Sequence, residues 1–322
     1  MLTEIITANY DLEIKNIKRI DEHFGTEIYL IETSRGQYLL KTFPLDNENT
    51  ENEGRITEYL HQNGIPVAKF LKTIHETYMT KTTEMQFHIQ EFIEGETLAV
   101  NTAPDWFLEK SAQMLGKIQR VLKNYPKLPT GFDGGFFHKS IALDAKQFYI
   151  GKLESAVETK DKQLQQEIEE KLKHIERVST FSFNVSKLTY VNSHGDYYIG
   201  QIIVNNRELV VIDWTSASFL PACFEVFMSY TYADPLCRHG EICAQKFKKY
   251  WNEYLNHSSF ILNDYDIKMM PYFLYYYLCF CSFTPPYSEV PITYKAINTL
   301  SNNLMNWLYE NVDRISAELF VG

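Results

Sequence analysis

The chain has 322 residues, 45% of them hydrophobic and 22% charged, and a formal net charge of −10. That is enough apolar material for one large domain or two lobes with separate cores, and it excludes a disordered chain. So acidic a protein repels nucleic acid and anionic membranes, and neither is expected as a main partner.

The N-terminal stretch MLTEIITANYDLEI carries acids early and lacks a basic run ahead of an apolar core, so it does not read as a signal peptide. The five cysteines, Cys223, Cys237, Cys243, Cys279 and Cys281, form no C-x-x-C pair and no zinc-ligand spacing. Reduced cysteines in a cytoplasmic protein are the expectation.

Residues up to about Ile93 read as a β-rich lobe with one helix. EIYLIET alternates, with Ile28 and Leu30 on one face, and Ser34 to Gly36 is a turn signal. QYLLKTF follows as the second strand of a hairpin, with Gln37, Leu39 and Lys41 sharing a face. In ENEGRITEYLHQNGIPV, Ile56, Tyr59 and Leu60 lie at helical spacing, Glu53 precedes them, and Asn63-Gly64 with Pro66 beyond ends the helix. EMQFHIQEFIEGETL reads as a strand ending at Glu94-Gly95.

After that the pattern turns helical. PDWFLEKSAQMLGKIQRVL is amphipathic, with Leu108, Leu115, Ile118 and Leu122 as core positions. PTGFDGGFF is a Gly-rich connection, and AVETKDKQLQQEIEEKLKHIERV reads as one charged helix with a mostly solvated face. MPYFLYYYLCFCSF, from Met270, is too short to span a bilayer, which needs about 20 residues, and reads as a buried aromatic helix. The expected organisation is α+β in two parts: a β-rich lobe over residues 1–93 and a mainly helical lobe over 94–322. No internal repeat is visible.

One short hairpin interrupts the helical part. Ile202 to Val204 and Glu208 to Trp214 are strand-like, with Asn205-Asn206-Arg207 as the turn. Its outer ends bring Asp196, Gln201 and Asp213 toward one another. Two carboxylates and an amide so arranged suit phosphoryl transfer: one acid accepts a hydroxyl proton, and the other, with the amide, holds a divalent cation against phosphate oxygens. A strand lysine steadied by a helix glutamate, Lys41 and Glu53, supplies a contact for nucleotide phosphates.

These residues resemble the kinase-like phosphotransferases that include aminoglycoside phosphotransferases, choline kinases, homoserine-kinase-type enzymes and spore-coat kinase-like proteins. The family pattern H-G-D-x-x-x-x-N, a hairpin and I-D-[FW] is matched by His194-Gly195-Asp196, Gln201 and Ile212-Asp213-Trp214. ENEGRITEYLHQNGIPVAKFL is similar to the family's E-x-x-x-x-x-x-L-x-x-x-G-x-P-V-P helix and exit, and the order of elements matches from about Ile17 to Tyr230.

The resemblance implies a protein-kinase-like two-lobe fold using ATP and Mg²⁺ on a small hydroxyl-bearing substrate. Asp196 would be the catalytic base, Gln201 and Asp213 the metal ligands, and Lys41 the phosphate contact oriented by Glu53. The backbone of Gln90, Glu91, Phe92 and Ile93 would be the adenine-reading hinge, and His194 would fix its loop by hydrogen bonding. The chain departs from the pattern at Gln201, where the family has Asn; the extra methylene adds about 1.5 Å of reach. It departs again where Leu220 and Glu225 replace the two aspartates of D-P-x-x-D, and the loop before Glu27 offers Gly25 alone. Two functions remain open: a small-molecule kinase, or a kinase-shaped nucleotide-binding or structural protein of spore-coat type with weak turnover.

Overall fold

In the computed structural model, residues 2–23, 26–45 and 50–320 are described, and of Glu22, His23 and Thr50 the backbone alone. The expected loop at Gly25 lies outside the described residues. The chain divides into two compact units, residues 1–97 with 201–217, and residues 98–200 with 218–322.

The first unit opens with α1 (Leu2–Asn9) and three consecutive antiparallel strands, β1 (Ile14–His23), β2 (Thr26–Thr33) and β3 (Gly36–Phe43). Gly36 turns the second hairpin at φ +134°, a backbone conformation that disfavours a side chain. Next come α2 (Thr50–Gln62), β4 (Thr80–Lys81) and β5 (Gln86–Glu91), and the sheet order is β1-β2-β3-β5-β4. α2 stops where expected, with Gly64 at φ +77° just beyond it. The strand expected to run to Glu94-Gly95 ends instead at Glu91, with one last bond from the Phe92 N–H to the Gln37 carbonyl before the chain leaves the sheet.

One sheet face packs on α1. Ile6 and Tyr10 meet Ile31, Leu40, Phe87 and Ile89, with Tyr29 and Tyr38 against them. Ile28 and Leu30 do share a face, as read, but it is the opposite, less buried one. Their register partners Lys41 and Leu39 lie on that same face.

A second, three-stranded sheet completes this unit. β6 (Glu96–Thr97), reached at the end of the first stretch, pairs with β8 (Ile202–Asn205), which pairs with β9 (Glu208–Val211). Asn206 and Arg207 both take positive φ, the twist that a two-residue turn between antiparallel strands requires. Val211 also bridges Val67 and donates its N–H to the Pro66 carbonyl, tying the hairpin to the segment after α2.

The second unit is mainly helical: α3 (Asp105–Leu122), α4 (Lys139–Glu158), α5 (Lys162–Ser179), α6 (Ala222–Ala233), α7 (Ala244–His257), α8 (Asp264–Cys281) and α9 (Lys295–Phe320). Leu108, Leu115, Ile118 and Leu122 of α3 are all buried. The charged stretch expected as one helix from Ala156 is two. α4 ends at Glu158, Lys160 takes φ +58°, and the Asp161 carboxylate caps α5 by accepting from Leu164 N–H at 3.0 Å. α8 is the expected aromatic helix, begun by a capping box between Asn263 and Asp266. Phe273 on it packs with Phe132, Phe137, Phe183 and Phe224 at ring separations of 4.8–6.0 Å. The cysteines are free, and no described helix is long and apolar enough to cross a membrane. Between the helices a short ribbon, β7 (Tyr190–Ser193) with β10 (Ser218–Pro221), leads into the His194–Asp196 loop.

Candidate functional site

In the first unit, β3 sets Lys41 opposite Ile28 on one side and His88 on the other. Its side chain is 18% exposed, and Nζ lies 3.0 Å from Asp213 Oδ1. Asp213 follows β9 with φ +59°, a strained conformation for a residue with a side chain. Thr215 Oγ1 donates to the same carboxylate oxygen at 2.7 Å.

Glu53, on α2, is 2% exposed and accepts from the Trp214 N–H at 2.9 Å, so it holds the backbone beside Asp213. Burial pushes its pKa up to about 7 against the pull of Lys41 and the Trp214 N–H. Burial alone would lower the Lys41 pKa, but Glu53 and Asp213 together raise it. Lys41 is thus a charged ammonium between two acids, hydrogen-bonded to Asp213 and attracted to Glu53. Gln201 stands at the same hairpin end, its carbonyl accepting from the Ile212 N–H at 3.0 Å.

Sequence reasoning missed His88. It is fully buried, its ring edge-on to Phe43 at 4.9 Å and Phe70 at 4.4 Å, with Nδ1 3.8 Å from Glu53 Oε2. Among the described residues neither ring nitrogen nor Glu53 Oε2 has a hydrogen-bond partner. Burial, with Lys41 nearby, drives the His88 pKa well down and keeps the ring neutral. The only sequence signal is the alternation of QFHIQ, which reads simply as a strand.

Of the expected hinge, Gln90 pairs with Leu39 and bridges Phe70. The Glu91 N–H donates to the Lys69 carbonyl at 2.8 Å, and the Phe92 N–H to Gln37 at 3.2 Å. Ile93 follows as the chain leaves the sheet.

In the second unit, His194 is fully buried and its Nδ1 accepts from the Asp196 N–H at 3.3 Å, the loop-fixing role expected of it. Glu225, at the start of α6, does more than its sequence context suggested. Its Oε1 accepts from the Gly195 N–H at 2.6 Å and the Tyr197 N–H at 3.3 Å, while Oε2 takes the Ser193 hydroxyl and Gln119 Nε2. Burial raises its pKa against those four hydrogen bonds. Glu225 therefore clamps the backbone on both sides of Asp196. The signal was present as a lone acid in the apolar run LPACFEV.

Asp196 lines a cavity of about 200 Å³ with Tyr198, Tyr232, Tyr277, Phe283 and Tyr294. Of the other α8 tyrosines, Tyr275 bonds His174 in the interior and Tyr276 donates to the Phe136 carbonyl, while Tyr272 bonds Asp313 at the surface and Tyr265 accepts from the Asn184 N–H.

A family model for the phosphotransferase enzyme family matches residues 16–252. The chain belongs to this family. Among solved structures, similar folds include an aminoglycoside phosphotransferase from Alicyclobacillus acidocaldarius, 13% identical over 98% of this chain and 94% of that one, with a TM-score of 0.65. Amicoumacin kinase hAmiN in complex with AMP-PNP, Ca²⁺ and Ami is 12% identical, with 98% and 92% covered and a TM-score of 0.63. A microcompartment-associated aminopropanol kinase is 12% identical, with 99% and 98% covered and a TM-score of 0.60. No curated protein matches in sequence. The expected kinase-like fold of this phosphotransferase-family chain, a small antiparallel sheet region followed by a mostly helical part, is what is observed.

Proposed function

We propose that the protein is an ATP-dependent phosphotransferase that moves the γ-phosphate to a hydroxyl of a small molecule. The observation that carries this reading is the corner at Lys41. A charged ammonium 3.0 Å from Asp213, beside a carboxylate that steadies the Trp214 backbone, is the arrangement that binding a triphosphate and its cation calls for. The family's neighbours support the cosubstrate, since hAmiN is seen with AMP-PNP and a spectinomycin phosphotransferase with ADP.

The residues fit magnesium by donor chemistry. Asp213 and Gln201 offer a carboxylate and an amide oxygen at one hairpin end, and no cluster of three or more His, Cys, Asp or Glu among the described residues offers more. Few protein oxygens, with phosphates and water completing the shell, is the usual magnesium arrangement. When bound, the ion neutralises charge on the β- and γ-phosphates.

Lys41 then leaves Asp213 for phosphate oxygens, and Glu53 keeps it in reach. An adenine edge meets the hinge through backbone groups other than the N–H of Glu91 and Phe92, which the Lys69 and Gln37 carbonyls already hold, with the Ile93 N–H foremost. Asp196, clamped by Glu225, takes the acceptor's hydroxyl proton. The acceptor oxygen forms a bond to the γ-phosphorus, the bond to the bridging oxygen breaks, and ADP departs with that electron pair.

The test is transfer of label from [γ-³²P]ATP to acceptors by wild type and Asp196→Asn. Wild type labels an acceptor, and the variant binds ATP but loses transfer by about 10²–10⁴-fold. Full activity in the variant removes Asp196 from the chemistry. A wild type that binds nucleotide and never transfers it favours the kinase-shaped binding protein instead, the reading supported by Gln201 in place of asparagine.

A further inference from the structure

His88 occupies a place that a hydrocarbon side chain would fill at less cost. Its ring is fully buried and packs against Phe43, at 4.9 Å, and Phe70, at 4.4 Å. Those two contacts suit any apolar side chain of that size. Yet the slot holds an imidazole whose two nitrogens have no hydrogen-bond partner among the described residues. A buried polar atom left without a partner carries the full desolvation cost of that atom, and such atoms are few in folded proteins.

The neighbour supplies a reason for them. Glu53 Oε2, also buried and also without a partner among the described residues, lies 3.8 Å from His88 Nδ1. The other oxygen, Oε1, accepts from the Trp214 N–H at 2.9 Å. That single bond leaves the plane of the carboxylate free to turn about it. Burial keeps the imidazole neutral, so it carries one N–H. Placed on Nδ1, this hydrogen has Glu53 Oε2 as its acceptor once the gap closes by about 1 Å. Lys41 is the cross-strand neighbour of His88, and its Nζ stands 5.2 Å from the centre of the same Phe43 ring. A carboxylate oxygen can accept two hydrogen bonds, so a bond from His88 leaves room on Glu53 for Lys41.

We infer that His88 is a positioning residue for the nucleotide site: its Nδ1–H bonds Glu53 Oε2 and, with the Trp214 N–H, pins the carboxylate that keeps Lys41 in reach of phosphate. This rests on the nucleotide-binding reading of the site and deepens it. His88 touches no phosphate itself; it acts through Glu53. The bond forms as Lys41 leaves Asp213 for the phosphates, when Glu53 becomes the acid that must hold the ammonium.

Two substitutions separate this role from packing. His88→Leu keeps roughly the volume and removes both nitrogens, so Tm is expected to hold or rise. Its affinity for Mg·ATP, read by titration calorimetry, is expected to fall about tenfold, the scale of one hydrogen bond to a charged group. His88→Asn is smaller and lowers Tm, but its amide N–H stands near the place of Nδ1 and is expected to keep affinity within about threefold of wild type. Stability and affinity thus move in opposite directions, which a packing role does not produce. The ring of ¹⁵N-histidine-labelled protein, with the His88 signals assigned by their loss in His88→Leu, is expected to show the Nδ1–H tautomer. A His88→Leu variant that binds Mg·ATP as tightly as wild type, affinities that follow Tm in both variants, or an Nε2–H tautomer each overturns the inference. Wild type that binds no Mg·ATP overturns the nucleotide-binding reading instead. The tautomer then decides the pair alone: Nδ1–H upholds the bond to Glu53, and Nε2–H removes it.

Discussion

Replacing Glu225 by alanine tests the clamp on the Asp196 loop. The substitution strips the acceptor from the Gly195 and Tyr197 N–H groups and from the Ser193 hydroxyl, all at a fully buried carboxylate. Each buried donor left without a partner costs about 1–3 kcal/mol, and relief of the carboxylate's own burial offsets part of the sum. A net loss of about 3–5 kcal/mol follows, which for a unit of this size lowers Tm by roughly 10 °C. Glu225→Gln keeps one oxygen on the two N–H groups and loses the charge, so its cost is smaller, about 1–2 kcal/mol. Scanning calorimetry of the three proteins at one pH measures this order directly. Phosphate transfer by Glu225→Ala, assayed well below its Tm, falls at least about a hundredfold as the loop loses its hold. If Tm moves by less than about 2 °C and transfer survives, the carboxylate is not what fixes the loop.

Glu53 makes stability depend on pH. Its pKa rises from 4.5 to about 7 on folding, so the folded protein binds this proton more tightly and stability falls as pH climbs through that window. The loss reaches up to about 3 kcal/mol for an isolated group, and Glu53→Gln flattens that part of the Tm–pH curve; an unchanged slope argues against a buried, protonating Glu53. Mg·ATP should raise Tm more than ATP with EDTA, and Asp213→Asn should erase that difference. A difference that persists in the variant places the cation elsewhere. Lys41→Met should weaken ATP binding by tenfold or more, as titration calorimetry would show, and equal affinity would dismiss Lys41 as the phosphate contact. Gln201→Asn is expected to keep or raise kcat; complete loss would mean that the site is built around the longer amide.

Much of this architecture is written in local pattern. The hairpin before Lys41, α2 with its glycine stop, α3 and the aromatic α8 all follow from periodicity and turn residues. The missed break between α4 and α5 was signalled by Asp161, a capping residue hidden in a run of charges that reads as continuous helix. What no window of sequence contains is register. Lys41 meets Asp213 across 172 residues, and His88 comes under Glu53 because β5 pairs with β3 in one alignment and not its neighbour. Shifted by one residue, the same strand would turn Ile89 toward Glu53. Glu225 stood out as a lone acid in an apolar run, but its role did not, because two of its four partners are backbone N–H groups, which carry no sequence identity, and the others, Ser193 and Gln119, are distant in the chain.

The first unit is discontinuous in the chain, and this has a consequence for biosynthesis. β6 finds its partner β8, and Lys41 its acid Asp213, only after residues 98–200 have been made. A nascent chain stalled before Ile202 therefore exposes the edge of β6 and leaves Lys41 with Glu53 as its acid but without Asp213. The entropy of closing so long a loop grows only slowly with its length, so the delay is one of translation more than of thermodynamics. A ribosome emitting about 5–20 residues per second leaves that edge uncovered for several seconds, a window in which a chaperone has something to hold.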